Sequence, residues 1–171
     1  MQSYPTLKEE EKEPFANLRI SKFHRIHYKG LGIKKWELNS EEAYIYNEQK
    51  TNEVYKIIVY EFSFEQFLPS KAYLQSKKAV LDYKNNQLYL IGDSEYKDTE
   101  LMVSGNELYY NLENEVLFTD SEVEIKKDKN KIQCLKGIYY SKKEGIQKCK
   151  KPKGQLLQNR DKKDTNNNFF F

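Results

Sequence analysis

The sequence lacks what a membrane span, a metal site or a disulfide scaffold would require. Among its 171 residues are two cysteines, two histidines, two methionines and four prolines, and no window approaches the roughly 20 apolar residues that cross a bilayer. Residues 9–13 form an acidic run where a signal peptide would have an apolar segment. We therefore expect a soluble chain, either cytoplasmic or one from which a leader or an anchor was removed.

Few residues are candidates for chemistry. Cys134 and Cys149 lie 15 residues apart, and no His or Cys is placed to complete a zinc ligand set with them. The spacing permits a disulfide in an oxidising compartment, whereas two buried reduced thiols are the commoner arrangement. His24 and His27 lie an odd number of residues apart on one predicted strand and so face opposite sides. No carboxylate is framed by apolar residues, and the phosphate-binding motif G-x-x-x-x-G-K-[ST] is absent. We expect no metal, no cofactor and no catalytic residue.

The charge balance does not indicate a nucleic-acid partner. The 29 basic and 26 acidic residues give a net charge of +3, and the two signs alternate as on an ordinary soluble surface. Only residues 142–163 are locally basic. A solvated tail is the simpler interpretation of this segment, and contact with anionic lipid headgroups or an acidic partner is the functional one.

The aromatic content favours β structure. The 14 Tyr and 9 Phe suit a pleated, half-buried surface, and no stretch of 12 or more residues shows a helical period. The connections are too short for parallel crossovers, so the sheet should be antiparallel. Alternation predicts strands at residues 18–28, 33–46, 53–64, 71–83, 87–96, 100–110, 115–126, 131–140 and 145–149.

The strands repeat as hairpin units within one domain. Tyr46, Tyr83, Tyr110 and Tyr140 occupy the same place in successive units, each after a small or polar break and an apolar pair. Such a period is typical of stacked units with a continuous core. We predict a flexible leader over residues 1–17, a β domain over 18–150 and a disordered basic, Asn-rich tail over 151–171.

Alternation also predicts which side chains share one face of the sheet, because successive residues of a strand face opposite sides. The predicted inward apolar stripe comprises Trp36, Leu38, Ile58, Tyr60, Phe62, Phe64, Leu88, Leu90, Leu101, Val103, Val116, Phe118, Val123 and Ile125.

Two short motifs carry a resemblance to a known family. Trp36, Leu38, Ser40 and Ala43 follow the pattern W-x-L-x-A-x-x-A, and Ala79, Tyr83, Leu88, Leu90 and Gly92 follow A-x-x-x-Y with L-x-L-x-G. In this order and spacing, residues 18–150 resemble the periplasmic LptC proteins of lipopolysaccharide export and, more loosely, LptA and OstA-type domains.

The resemblance implies an open antiparallel β-jellyroll of two facing sheets that binds acyl chains of lipopolysaccharide or a related glycolipid in an interior groove, here along the apolar stripe. It also implies end-to-end docking with jellyroll domains of the same transport system, self-association, and an inner-membrane ABC transporter as the source of energy. LptC proteins are periplasmic and anchored in the inner membrane by an N-terminal helix. This sequence departs from them because it shows no such helix, which leaves an LptC-like and a soluble LptA-like role open.

A rival interpretation needs no groove. From the pattern alone, the stripe is a closed core, and the Tyr-rich meander is an interaction or adhesion module that binds protein or glycan on its outer face. Nothing in the sequence names the lipid.

Overall fold

The computed structural model describes residues 12–155, and every regular element among them is a β-strand. The strands are β1 (Leu18–Lys29), β2 (Ile33–Asn47), β3 (Val54–Gln66), β4 (Ala72–Asp82), β5 (Gln87–Lys97), β6 (Met102–Asn111), β7 (Val116–Thr119), β8 (Val123–Lys127), β9 (Asn130–Cys134), β10 (Ile138–Ser141), β11 (Gly145–Cys149) and β12 (Pro152–Gln155).

All strand pairings are antiparallel, and β1 to β6 pair in chain order. After β6 the sheet divides. One branch continues through β7, β10 and β11, and the other through β8, β9 and β12. Within the described residues β1, β11 and β12 each pair on one side, so the sheet is open. The predicted all-β, antiparallel, open jellyroll-like architecture is confirmed.

A line of irregularities crosses the long strands near their middle, and we call it the crease. Lys22, Glu61 and Asp93 have positive φ angles there, and the strand register shifts between Gln75 and Lys78. An extra residue, or a residue with a left-handed backbone conformation, at such a place marks a β-bulge. A bulge bends the strand and reverses the phase of its side chains. The crease therefore divides each long strand into two segments.

The sheet folds back on itself at the crease. Tyr96 of β5 pairs with Val103 of β6, and β6 extends about 23 Å from residue 103 to residue 110 at ~3.3 Å per residue. The rings of Tyr96 and Tyr110 nevertheless have centroids only 5.5 Å apart. The two segments of each strand must therefore face each other across the interior.

We call the two facing layers half-sheet 1 and half-sheet 2. Half-sheet 1 contains β7, β10, β11 and residues 18–21, 42–47, 54–60, 78–82, 87–91 and 107–111. Half-sheet 2 contains β8, β9, β12 and residues 23–29, 33–40, 62–66, 72–76, 94–97 and 102–105. The side opposite the crease, where the turns of the two half-sheets approach each other, is here called the lip.

Three serines satisfy polar backbone groups along the crease. Ser40, Ser76 and Ser94 are buried and donate hydrogen bonds to the carbonyls of Glu42 (3.2 Å), Lys78 (2.7 Å) and Asn106 (3.0 Å). A buried carbonyl that a bulge removes from the ladder would otherwise lack a partner. Ser40 and Ser76 belong to the polar breaks of the first two repeat units.

The predicted strands 115–126 and 131–140 are each two strands. The chain passes from half-sheet 1 to half-sheet 2 between β7 and β8, and it returns between β9 and β10. At the return, Gly137 has φ +108°, and a Cβ there would lie 1.9 Å from the carbonyl oxygen of Thr119. Apolar residues continue through both breaks, so alternation alone could not reveal the crossings.

Residues on both sides of the predicted β domain, 18–150, contact the sheet. Glu13, within the predicted leader, accepts hydrogen bonds from Tyr60 (2.6 Å) and Tyr46 (3.1 Å) on the outer face. Burial raises the pKa of Glu13, but these hydrogen bonds and Lys78 outweigh it and lower that pKa overall. At the other end, β12 extends the sheet to Gln155, into the predicted tail. The rest of the leader and tail, residues 1–11 and 156–171, lies outside the described residues.

Cys134 and Cys149 form a disulfide, one of the two arrangements that the sequence left open. Their Cα atoms are 5.1 Å apart, within the range that a disulfide spans. Cys134 ends β9 in half-sheet 2 and Cys149 ends β11 in half-sheet 1. Both lie beside the crossing at the crease, so the bridge joins the two half-sheets on the side away from the lip.

Reducing this disulfide should destabilise the domain by about 3 kcal/mol, the loop-closure value for 15 residues. The measurement is the urea unfolding midpoint with and without a reductant. A variant carrying Cys134→Ala and Cys149→Ala should unfold at the lower midpoint and ignore the reductant. An unchanged midpoint for the natural chain under reduction would contradict the assigned role of the bridge.

Candidate functional site: the interior and its lip

The interior between the half-sheets is apolar and densely packed. Leu38, Leu74, Leu90, Leu108 and Ile125 are completely buried. Of the fourteen residues of the predicted stripe, ten lie in this core: Trp36, Leu38, Phe62, Phe64, Leu88, Leu90, Leu101, Val103, Val123 and Ile125. Their lipid-binding role stays a prediction, but the structure brings them together.

The other four, Ile58, Tyr60, Val116 and Phe118, lie outside this core cluster. In β3, the bulge at Glu61 reverses the phase, so that Ile57 and Val59 share the interior with Phe62 and Phe64. In β7, Leu117 is the inward residue because it pairs with the inward Tyr110.

Because of this phase reversal, Ile58 and Tyr60 belong to the outer face, where the ring of Tyr60 packs edge-on against Tyr44. The sequence showed three consecutive apolar residues at 57–59, which is a signal of two-sided burial, but it did not show which phase was the inner one.

Three of the four repeat tyrosines join the two half-sheets across the lip. The hydroxyl of Tyr83 accepts a hydrogen bond from the guanidinium of Arg25. Tyr110 donates to Gln66 Oε1 (3.0 Å), and Tyr140 donates to Asp98 Oδ2 (2.7 Å). Each tyrosine belongs to half-sheet 1 or, for Tyr83, to the turn that follows β4 there. Each partner belongs to half-sheet 2 or, for Asp98, to the turn that follows β5 there. The sequence repeat therefore corresponds to a row of polar contacts along the lip.

Burial sets the protonation of these tyrosines. It raises the pKa of Tyr110, and Glu115 raises it further. It likewise raises the pKa of Tyr140, together with the hydrogen bond to Asp98. Both hydroxyls therefore remain protonated at neutral pH and act as donors.

Glu115 is the centre of a second group of lip contacts. Its carboxylate accepts hydrogen bonds from Gln66 Nε2 and from Ser70 Oγ (3.0 Å). Lys142 Nζ lies 4.0 Å from the same carboxylate and donates to the carbonyl of Lys71. Burial lowers the pKa of Lys142, opposed by Glu115 and Asp98. Side chains, and not strand pairing, thus close the lip.

A cleft of ≈ 220 Å³ opens between the half-sheets at the β1 end of the lip. Its half-sheet 2 wall includes Arg25, His27, Lys35 and Trp36, and its half-sheet 1 wall includes Tyr83 and Leu112. Of these residues, Trp36 belongs to the predicted inward apolar stripe, and the others do not. The cations were missed because Arg25 and His27 continue the inward phase of Phe23, which begins only after the bulge at Lys22.

The outer face of half-sheet 1 carries a ladder of stacked rings. Tyr89, Tyr109, Phe118 and Tyr139 follow one another across four strands, with centroid separations of 4.4, 5.1 and 6.5 Å. Cross-strand aromatic pairs of this kind stabilise strand register. Both faces of the two inner rings, Tyr109 and Phe118, are therefore occupied by neighbouring rings of the ladder.

Residues 12–155 contain no helix with the length and apolar character needed to cross a bilayer. Within the same range, no three His, Cys, Asp or Glu side chains are grouped so that they could hold a metal ion.

The sequence of the chain was compared with those of known proteins. The family described as "Lipopolysaccharide-assembly, LptC-related" matches residues 2–155, which include the whole described fold. No curated protein matches the chain in the corresponding search.

Proposed function

Because the chain belongs to the LptC family of lipopolysaccharide-assembly proteins, we propose that its interior receives lipid acyl chains after the lip contacts separate. The family is a non-enzymatic, envelope-associated component of lipopolysaccharide transport. The observation that carries the proposal is that the two sides of the interior are connected differently. At the crease, continuous strands and the disulfide join the half-sheets. At the lip, only separate side-chain contacts join them.

The polar contacts at the lip are individually weak enough to separate. A typical hydrogen bond contributes a net ~0.5–1.5 kcal/mol, so a handful of lip contacts amounts to several kcal/mol. Burying one chain of ~12 carbons yields roughly 9–10 kcal/mol at about 0.8 kcal/mol per methylene. A bilayer offers the chain a similar gain, so the interior lowers the barrier to transfer but supplies no direction. Direction is assigned to the inner-membrane transporter of the system.

Docking to other jellyroll domains would use the open edges of the sheet. β1 is a 12-residue edge strand, and β11 and β12 end the two branches at the opposite side. Unpaired strand edges readily accept another strand. We propose that related domains, or a second copy of the chain, pair there and continue the interior from one domain to the next.

Photo-crosslinking tests the placement of the lipid. Benzoylphenylalanine at Phe64, which is 1% exposed in the interior, should crosslink to added lipopolysaccharide. The matched control is the same group at Tyr139, an aromatic position 43% exposed on the outer ladder, where no crosslink is expected. Crosslinks at Tyr139 with none at Phe64 would reject interior binding and favour the outer-face interaction module.

A further inference from the structure

The cations of the cleft at the β1 end of the lip are not matched by carboxylates. Arg25 and His27 lie two residues apart on β1, and Lys35 lies on β2, where the register shifts beside His27. Eleven ion pairs occur between described residues, and none includes Arg25, His27 or Lys35. The neighbouring cation Lys34, by contrast, pairs with Glu37 at 3.4 Å.

Aromatic rings fix the position of these groups. The guanidinium of Arg25 lies 5.3 Å from the centroid of Tyr83 and 5.9 Å from that of Trp36. The ring of His27 stacks on Trp36 with centroids 5.2 Å apart. A guanidinium held between rings loses little conformational freedom when it binds a phosphate, and its fork of N–H donors suits such an anion.

The electrostatic environment of His27 reflects an excess of positive charge. Partial burial lowers the pKa of His27, and the charges of Lys35 and Arg25 lower it further. Glu113 also lines the cleft from the opposite half-sheet, and it forms no ion pair with the three cations among the described residues. Arg25 and Lys35 thus leave the cleft net positive.

The cleft combines this charge with an apolar path. Trp36 is 7% exposed and belongs to the core cluster, and Leu112 packs against that cluster from the other half-sheet. An anion at Arg25 would therefore sit where the apolar interior meets solvent. A ligand that satisfies both parts has a negative headgroup and an acyl chain.

We propose that this cleft binds the phosphate-bearing headgroup of an acylated lipid, with Arg25 and Lys35 contacting the phosphate and Trp36 marking the start of the chain's path. The proposal rests on the interior being the acyl-chain site, and it adds which end of the lip the headgroup occupies and which charge it carries.

Calorimetry with three probes at submicellar concentration tests the proposal: dodecyl phosphate, the uncharged dodecanol, and inorganic phosphate. Dodecyl phosphate should bind at least tenfold more tightly than dodecanol or inorganic phosphate. Added salt should weaken the binding of dodecyl phosphate. Lys35→Gln should weaken binding of dodecyl phosphate about five- to tenfold and leave binding of dodecanol unaffected. Arg25→Gln also removes the lip contact with Tyr83, so for this variant the expected result is a five- to tenfold fall in the preference for dodecyl phosphate over dodecanol. The matched control Lys34→Gln should change neither affinity, and Glu113→Gln should tighten dodecyl phosphate binding about twofold.

The outcomes separate this proposal from the function on which it rests. Equal binding of dodecyl phosphate and dodecanol, unaffected by Lys35→Gln, would overturn the headgroup site while leaving interior binding of chains intact. Binding of neither amphiphile would count against interior binding itself. Inorganic phosphate that binds as tightly as dodecyl phosphate would show a phosphate site without a lipid, which also overturns the proposal.

Discussion

Gly137→Ala should destabilise the domain by about 3–5 kcal/mol. Gly137 lies where the chain returns from half-sheet 2 to half-sheet 1, and the added Cβ would lie 1.9 Å from the carbonyl oxygen of Thr119. Overpacking of a rigid site costs ~1–3 kcal/mol, and the φ of +108° costs a non-glycine residue a further ~1–3 kcal/mol. For a domain of this size, we expect the melting temperature to fall on the order of 10 °C.

Gly145→Ala is the matched control for this substitution. Gly145 also has a positive φ, of +88°, but no atom lies within 4 Å of an added Cβ. Its substitution should cost only the conformational part, about 1–2 kcal/mol. Thermal unfolding followed by circular dichroism compares the two variants. If both lose the same stability, close approach at the crossing is not what requires Gly137.

The first six strands follow from the sequence because their turns and alternation agree. Polar clusters such as those at residues 84–86 and 111–114 end the apolar runs, and the predicted bounds of β1 to β6 lie within two residues of the observed ones. Local turn chemistry and side-chain period both act over a few residues, so they can be read directly from the chain.

The crease could not be predicted, because it depends on bulges at residues of ordinary character. Lys22 and Glu61 adopt positive φ angles that nothing in their side chains requires. Each bulge reverses the phase of the side chains in the rest of its strand. A prediction that assumes an unbroken phase therefore assigns Ile58 and Tyr60 of β3 to the inner face, although they lie on the outer one. Pairing of β6 with both β7 and β8 is likewise a long-range property that alternation does not contain.

The sequence repeat contains the tyrosines of the lip but not the reason for their recurrence. Tyr83, Tyr110 and Tyr140 recur at matching positions, which suggested stacked units. Their hydroxyl partners, Arg25, Gln66 and Asp98, come from strands or turns far away in the chain. The recurrence could be seen in one sequence, but its meaning required the fold-back of the sheet.

Locking the lip should weaken binding of lipopolysaccharide at least tenfold, because the packed interior can admit a chain only if the half-sheets separate. Ser70 and Glu115 lie on opposite sides of the lip, with Ser70 Oγ 3.0 Å from Glu115 Oε2. Replacing both by cysteine provides the only free thiol pair, since Cys134 and Cys149 are bridged. A short thiol-specific crosslinker then joins the half-sheets.

The matched control places cysteines at Glu124 and Lys131, whose side chains form a 3.3 Å ion pair between β8 and β9 within half-sheet 2. The same crosslinker there leaves the lip free. The direct test of interior binding is therefore the affinity for lipopolysaccharide of both double variants, before and after crosslinking. We predict at least a tenfold loss for the Ser70→Cys, Glu115→Cys protein on crosslinking and no change for the control, whereas unchanged affinity with the lip locked would contradict entry of acyl chains between the half-sheets.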